Sequence, residues 1–363
     1  MSHHQPGPSA VHFGAGALGR GLVVPRLAEA GWRVTLVDAD RTLVEALVGA
    51  RSYPLMIAGD GGSERRAVSI AGALRPDDPG LAPLLSRTPL VTTAVRRENL
   101  PRVARTLVAA WTEAGMPETV AVVGCENVER VDEVLAAAFA AAGISPAQRA
   151  RLRLPRTVVD RICAADWPAG LGITTEPFCE LAAAGGDAIP GIEAVSDIDA
   201  RFARKRYLVN SFADASAVFG VTRGHHTLAE AIADPEVARQ VAPLLAALRL
   251  HLGLAYGYGA DSLAAYEEQS RRRLANAAIP RRLETVARDV SRKLAPNERF
   301  AEPLIDLEAR GLLAEDAVAV LAAMVRAAGI GAASAASAPL PGPLSPAAAR
   351  FYERLDAAVT RSV

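Results

Sequence analysis

The sequence predicts an α/β protein: an N-terminal, doubly wound parallel sheet followed by a mostly α-helical C-terminal domain. Three observations lead there. The chain opens as strand, glycine-rich turn, helix and strand; further strands then alternate with helical stretches; and beyond about residue 195 strand signals almost vanish. Strands separated by helices pair in parallel through right-handed crossovers, which is what winds such a sheet on both sides. The expected division is a mobile tail over 1–10, a nucleotide-binding domain over 11–192 and a helical substrate domain over 193–363, with Pro190-Gly191 as the hinge.

Val11-His12-Phe13 forms the first short strand, Gly14 to Gly21 the turn, and an apolar helical stretch runs to Ala30, where Gly31 stops it. Trp32 to Val37 is the second strand and Arg41 to Val48 the second helix. Tyr53 to Ser69 reads as a hairpin around Gly59-Asp60-Gly61-Gly62. Leu90 to Ala94 and Thr119 to Val123 are further strands, with the helix Arg102 to Ala114 between them. The second half reads as helices over Ile198 to Phe219, Leu228 to Ile232, Pro235 to Leu252 and Ala260 to Leu274. A surface loop rich in Ala, Ser, Pro and Gly follows over Gly331 to Pro346, and Pro346 to Val359 forms a last helix.

Forty Lys and Arg balance forty Asp and Glu over 363 residues, which removes any broad attraction to nucleic acid or to an anionic membrane. No apolar run reaches the roughly 18 to 20 residues of a membrane span, and the N-terminus lacks the pattern of a signal peptide, so a cytoplasmic location is expected. Cys125, Cys163 and Cys179 are odd in number and lack paired metal spacing, so buried thiols are expected and no metal site. The charge balance identifies no oligomer interface.

Gly14, Gly16 and Gly19 meet the G-x-G-x-x-G pattern between a strand and an amphipathic helix. Gly14 permits the tight turn, Gly16 lets a pyrophosphate approach the backbone, and Gly19 lets helix and strand pack closely. Gly14, Ala15, Gly16, Ala17, Leu18, Gly19 and Arg20 are therefore the expected phosphate cradle, at a helix N-terminus whose amides favour an anion. Asp38 ends the next strand, where a carboxylate accepts from both ribose hydroxyls and repels a 2′-phosphate. The expected domain is Rossmann-type and its cofactor NAD, with Arg41 as the weaker argument for NADP.

Several further segments give the chain a resemblance to a family. His12-Phe13-Gly14-Ala15-Gly16, Gly19-Arg20-Gly21, Val91-Thr92-Thr93-Ala94-Val95, Cys125-Glu126-Asn127, Val159-Asp160-Arg161-Ile162 and Thr175-Glu176-Pro177-Phe178 carry it in the first half. Lys205 with Asn210, Gly224-His225-His226-Thr227, and Arg288 through Arg292-Lys293-Leu294 carry it in the second. Together they resemble the polyol-specific long-chain dehydrogenases. The resemblance implies metal-independent hydride transfer between a nicotinamide and a secondary alcohol, with Lys205 as general base and Asn127 and Asn210 holding the substrate oxygen. It also adds Thr93, Ala94 and Asn127 to the cofactor site. The chemistry is coherent: an alcohol losing hydride must also lose a proton, and neutral amides stabilise the developing alkoxide.

Read alone, these residues have plainer accounts. Lys205 is a solvated charge within Arg204-Lys205-Arg206, Asn127 caps the following helix, and Asn210 is a buried helical amide. In an unbroken helix Lys205 and Asn210 point about 140° apart. Thr227 and Glu230 have capping-box spacing, which leaves His225 and His226 no required role as ligands. Arg281, Arg288 and Arg292 share one helical stripe opposite Leu283, Val286, Val290 and Leu294. That stripe is either a solvated face or the border of a substrate cleft. Arg288, Arg292 and Lys293, with Asp214 one turn from Asn210, are the expected substrate-binding residues, and the cations favour an anionic small molecule such as a polyol phosphate.

Two positions depart from the family's pattern. A histidine belongs three residues after the second asparagine, whereas this chain has Ala213, and Phe212 stands where a small residue is usual. Two other readings therefore stay open: a member acting on a different alcohol or sugar-derived intermediate, and a non-catalytic NAD-binding homologue.

Overall fold

The computed structural model describes residues 7–59, 61–185, 188–330 and 343–361. Most of the expected N-terminal tail and of the surface loop after Gly331 lies outside the described residues, as does Asp60 of the hairpin turn. The chain divides into two compact units, Met1–Ile198 and Asp199–Val363.

In the first unit the strands are β1 (Ser9–Phe13), β2 (Arg33–Val37), β3 (Ser52–Gly59), β4 (Gly62–Ser69), β5 (Gly72–Leu74), β6 (Leu90–Thr93), β7 (Val120–Gly124) and β8 (Leu152–Arg153). The strand β1 starts at Ser9, inside the expected tail, because Ser9 and Ala10 pair with Arg33 and Val34 of β2. Six strands form a sheet in the order β5-β2-β1-β6-β7-β8, and every pairing in it is parallel. The order reverses between β1 and β6, the switch point outside which doubly wound sheets bind ligands. Alternate residues of each strand feed two cores. Ala10 of β1, Val34 and Leu36 of β2 and Leu90 of β6 join Leu22, Leu27 and Leu47 on one face. Val11, Phe13, Val37 and Val91 join Leu107, Trp111 and Phe139 on the other. Burial on both faces is why these strands read as continuous apolar runs.

The hairpin of β3 and β4 closes at Gly59 and Gly62, as the glycine cluster predicts. What the sequence reading lacks is a set of short strands after it: β9 (Thr157–Asp160), β10 (Cys163–Ala165), β11 (Ile173–Thr175), β12 (Glu180–Ala184) and β13 (Glu193–Val195). They build a four-stranded sheet, β10-β11-β3-β4, and a three-stranded one, β13-β12-β9. Cys125 is buried, Cys163 and Cys179 are half-buried, and all three are free thiols.

Among its described residues the regular elements of the second unit are all helices, joined by loops, with an isolated β-bridge between Thr227 and Arg282. Its centre is one continuous helix in three registers: α over Ile198–Lys205, π over Arg206–Ser211 and α over Phe212–Thr222. Phe212 to Gly220 are buried all round, so neighbouring helices must come close; a Cβ on Gly220 would approach Leu283 Cδ1 to 2.9 Å. The capping box at Thr227 and Glu230 starts Leu228–Ala233, and Asp234 caps Pro235–Tyr256. The expected single helix through Leu283 and Leu294 is two short ones, Leu283–Val286 and Val290–Lys293, because Asp289 between them is left-handed at φ 60°. The apolar residues Leu283, Val286, Val290 and Leu294 are nevertheless buried, as their spacing predicts. Pro346–Thr360 is the last helix.

Candidate active site

In the first unit, parallel register sets the site. Phe13 of β1 pairs with both Val37 and Thr93, and Thr93 with Gly124. The residues just beyond these strand ends, Gly14, Asp38, Ala94 and Cys125, therefore share one rim, with Glu126 and Asn127 following. A cavity of about 670 Å³ opens there, lined by Gly14, Gly16, Asp38, Ala94, Val95 and Arg102 among others.

The glycine turn is built as the pattern requires. Gly14 has φ +100°, its N–H donates to Val37 O at 2.8 Å, and a Cβ on it would come within 2.7 Å of the Ala94 carbonyl carbon. Around Gly16 nothing lies within 4 Å of where a Cβ would be, so the backbone there is open to an approaching group. Gly19 abuts the His12 ring. The Arg20 side chain faces inward: Nε donates to Ala15 O at 2.7 Å and Nη1 to Leu171 O at 2.5 Å, so it holds the turn's backbone in place. Burial lowers its pKa. Asp38 accepts from the amides of Ala15, at 2.7 Å, and Asp40, at 2.9 Å, which fixes its carboxylate beside the turn. An exposed glycine backbone at a helix start, with a carboxylate at the end of the second strand, fits NAD.

Glu126 is a residue the sequence reading passed over. It is buried, accepts from Thr93 Oγ1 at 2.9 Å and from the Val95 amide at 3.0 Å, and its pKa is raised by burial. It ties the loop after β6, which carries Ala94, to the loop of Asn127. Its position inside Cys125-Glu126-Asn127 was the available signal. Asn127 is exposed and does not cap the next helix, which starts at Val131 behind Arg130.

In the second unit Lys205 is buried at 6 % exposure, so the solvated-charge account of it does not hold. Asn210 lies within the π segment. There i→i+5 bonding widens the turn, which reduces the angle between Lys205 and Asn210 below the roughly 140° of an unbroken α-helix. Ala213 is buried one turn further along, and the Arg271 guanidinium lies 4.8 Å from the Phe212 ring centre. Neither histidine takes the missing place by its contacts: His225 Nε2 meets Asp234 Oδ2 at 2.8 Å, and His226 is exposed.

A second cavity, of about 620 Å³, is lined by Asp214, Arg281, Arg288, Arg292, Lys293 and Arg299 among others. Asp214 is buried and already paired, with Lys293 Nζ at 3.0 Å and Arg299 Nη1 at 2.9 Å, so it acts here as a partner of the cations. Lys293 also donates to Val286 O at 2.8 Å, and burial lowers its pKa. Arg292 pairs with Glu298 at 2.7 Å, while Arg288 is exposed and lies 3.9 Å from Asp289. The break at Asp289 thus gathers the expected arginine stripe around a hollow. Arg299, seven residues beyond Arg292, joins them, and this spacing continues the stripe although the sequence reading did not extend it that far. Among the described residues no group of three His, Cys, Asp or Glu is placed to hold a metal ion, and no helix is long and apolar enough to cross a membrane.

Residues 8–188 match the family model described as the mannitol dehydrogenase Rossmann domain, and 197–347 match the mannitol dehydrogenase C-terminal domain. The chain belongs to the mannitol dehydrogenase family. A mannitol-1-phosphate 5-dehydrogenase of Arthrobacter sp. is 32% identical over 333 residues, covering 87% of this chain and 85% of that protein. The enzyme of the same name from Enterococcus faecalis is 29% identical over 325 residues, covering 86% and 85%. Among solved structures, mannitol 2-dehydrogenase of Pseudomonas fluorescens, determined with NAD and D-mannitol, superposes with a TM-score of 0.72 at 18% identity, covering 99% of this chain and 87% of that one. A D-sorbitol dehydrogenase superposes at 0.71 and 18%, covering 88% and 81%. This member of the mannitol dehydrogenase family is therefore an oxidoreductase with the family's Rossmann and helical domains.

Proposed function

We propose that this chain oxidises a secondary alcohol of a polyol phosphate, of the mannitol 1-phosphate kind, and reduces the matching ketose phosphate in reverse. One observation carries the phosphate: the cation-rich cavity includes Asp214, four residues after Asn210 on the same helix, about 6 Å along its axis. An anionic end held by Arg281, Arg288 and Arg292 would leave the polyol chain running toward Asn210 and Lys205. Arginine suits this task because its planar fork meets a phosphate with two hydrogen bonds.

Bound NAD supplies the hydride acceptor. Lys205 Nζ takes the hydroxyl proton as the carbon loses its hydride, and burial keeps that proton transfer out of bulk water. The Asn210 side-chain amide donates to the oxygen as charge develops on it, and the resemblance assigns Asn127 the same task. Asp38 and the Gly14 to Gly19 turn would hold the ribose and pyrophosphate of that cofactor.

Ala213 favours a second reading, a family member whose alcohol differs from a hexitol phosphate, since the expected histidine is absent. A panel of hexitol phosphates, free hexitols and matching ketoses, assayed in both directions with NAD and NADP, separates the two. Turnover on a hexitol phosphate with NAD supports the first reading. Turnover only on other alcohols supports the second, and NAD binding without any turnover leaves the homologue without catalysis.

A further inference from the structure

We propose that Arg206 and Ser211 are positioning residues, which hold open the π turn over Arg206–Ser211 that turns Asn210 toward the face of Lys205. The proposal rests on the reading of Lys205 as the base. A π turn is rare and interrupts an otherwise α-helical rod, so it persists only where surrounding contacts favour it. Here both its ends are tied to one segment, Asn297 to Glu302. At the first residue, Arg206 Nη2 donates to Asn297 O at 2.6 Å, and Nη1 lies 2.9 Å from Glu302 Oε2. At the last, the fully buried Ser211 hydroxyl lies 3.1 Å from Arg206 O and 3.2 Å from Arg299 O, sharing its one proton between them.

The Ser211 contacts explain how the turn is stabilised. Widening the helix by one residue moves the Arg206 carbonyl away from its α-helical donor, and the hydroxyl five residues later reaches it. Tyr207, inside the turn, donates to the same Glu302 carboxylate at 3.1 Å. Without these ties the segment can relax toward α register, which rotates Asn210 away from Lys205. A displacement of that kind costs catalysis far more than binding.

The test is a double-mutant cycle. Ser211→Ala is measured alone and in a Lys205→Ala background, by NAD reduction with mannitol 1-phosphate, with NAD affinity by calorimetry and melting temperature as controls. Ser211→Ala should lower kcat by about tenfold to a hundredfold, with KM and NAD affinity within about twofold, and should cause no further loss once Lys205 is gone. If Ser211→Ala keeps the parent kcat, or loses the same factor in both backgrounds, the hydroxyl does not act through Lys205 and the proposal is overturned. Should Ser211→Ala fail to fold, Arg206→Lys enters the same cycle, keeping the charge but losing the two-ended contact. A Lys205→Ala enzyme with full activity, or a parent silent on mannitol 1-phosphate, overturns the functional reading itself and the proposal with it.

Discussion

At the scale of single residues, ligand chemistry and backbone geometry make the same demand of the glycine turn. Gly14 stands where φ is +100° and where a Cβ would press on the Ala94 carbonyl, so its place in the glycine pattern is a steric requirement. Gly14→Ala should therefore destabilise the protein by roughly 1–3 kcal/mol from backbone strain alone, with the clash added, and a denaturant unfolding curve reads the change. Lys205 is the opposite case. Its neighbours Arg204 and Arg206 make it look like part of a charged surface, and only the fold shows that it is buried. Asp214 was legible as a residue on the site's helix, but its pairing with Lys293 and Arg299 was not, because those partners are 79 and 85 residues away.

At the scale of elements, long buried strands and amphipathic helices were legible, and departures from regular geometry were not. Ala260–Leu274 falls on the expected residues, and β1, β2, β6 and β7 lie within one or two residues of them. Strands such as Cys163–Ala165 and Ile173–Thr175 are too short to display a period of two, so they left no signal. The π turn is silent for another reason: it adds one residue to a helix whose apolar pattern reads as continuous. The break at Asp289 is likewise set by one left-handed residue, and it converts a helical stripe into a pocket. That pocket gives a prediction at this scale. Arg288→Ala, an exposed residue that lines it, should raise KM for a polyol phosphate about tenfold and leave KM for the free polyol unchanged. Steady-state kinetics on the two substrates decide it; an equal change in both removes the phosphate from this pocket.

At the scale of the whole molecule, a buried imidazole links stability to acid. His12 is fully buried against Thr92 in β6, and burial lowers its pKa from 6.5 to about 4. The unfolded chain therefore binds a proton as pH falls below about 6.5, while the folded one resists until about 4. Stability contributed by the neutral ring is present above the unfolded value and is lost between those limits, on the order of 3 kcal/mol in all. Glu126, whose pKa burial raises, works in the opposite direction. Comparing the parent with His12→Gln cancels that common part. Urea unfolding of the two at several pH values should show a flatter acid slope for His12→Gln, and parallel slopes would contradict the assignment.

The proposed reaction draws on both units: on the glycine turn and Asp38 for NAD in the first, and on Lys205, Asn210 and a cationic hollow in the second, where the fold and not the sequence shows the burial of the lysine and the hollow. The most direct test is the rate of NAD reduction with mannitol 1-phosphate by the parent chain and by Lys205→Ala, alongside calorimetric NAD binding. The account predicts turnover by the parent, a loss of about 10²- to 10⁴-fold on removing the lysine, and unchanged NAD affinity. An undiminished rate in Lys205→Ala, or NAD binding by the parent without turnover, would contradict it.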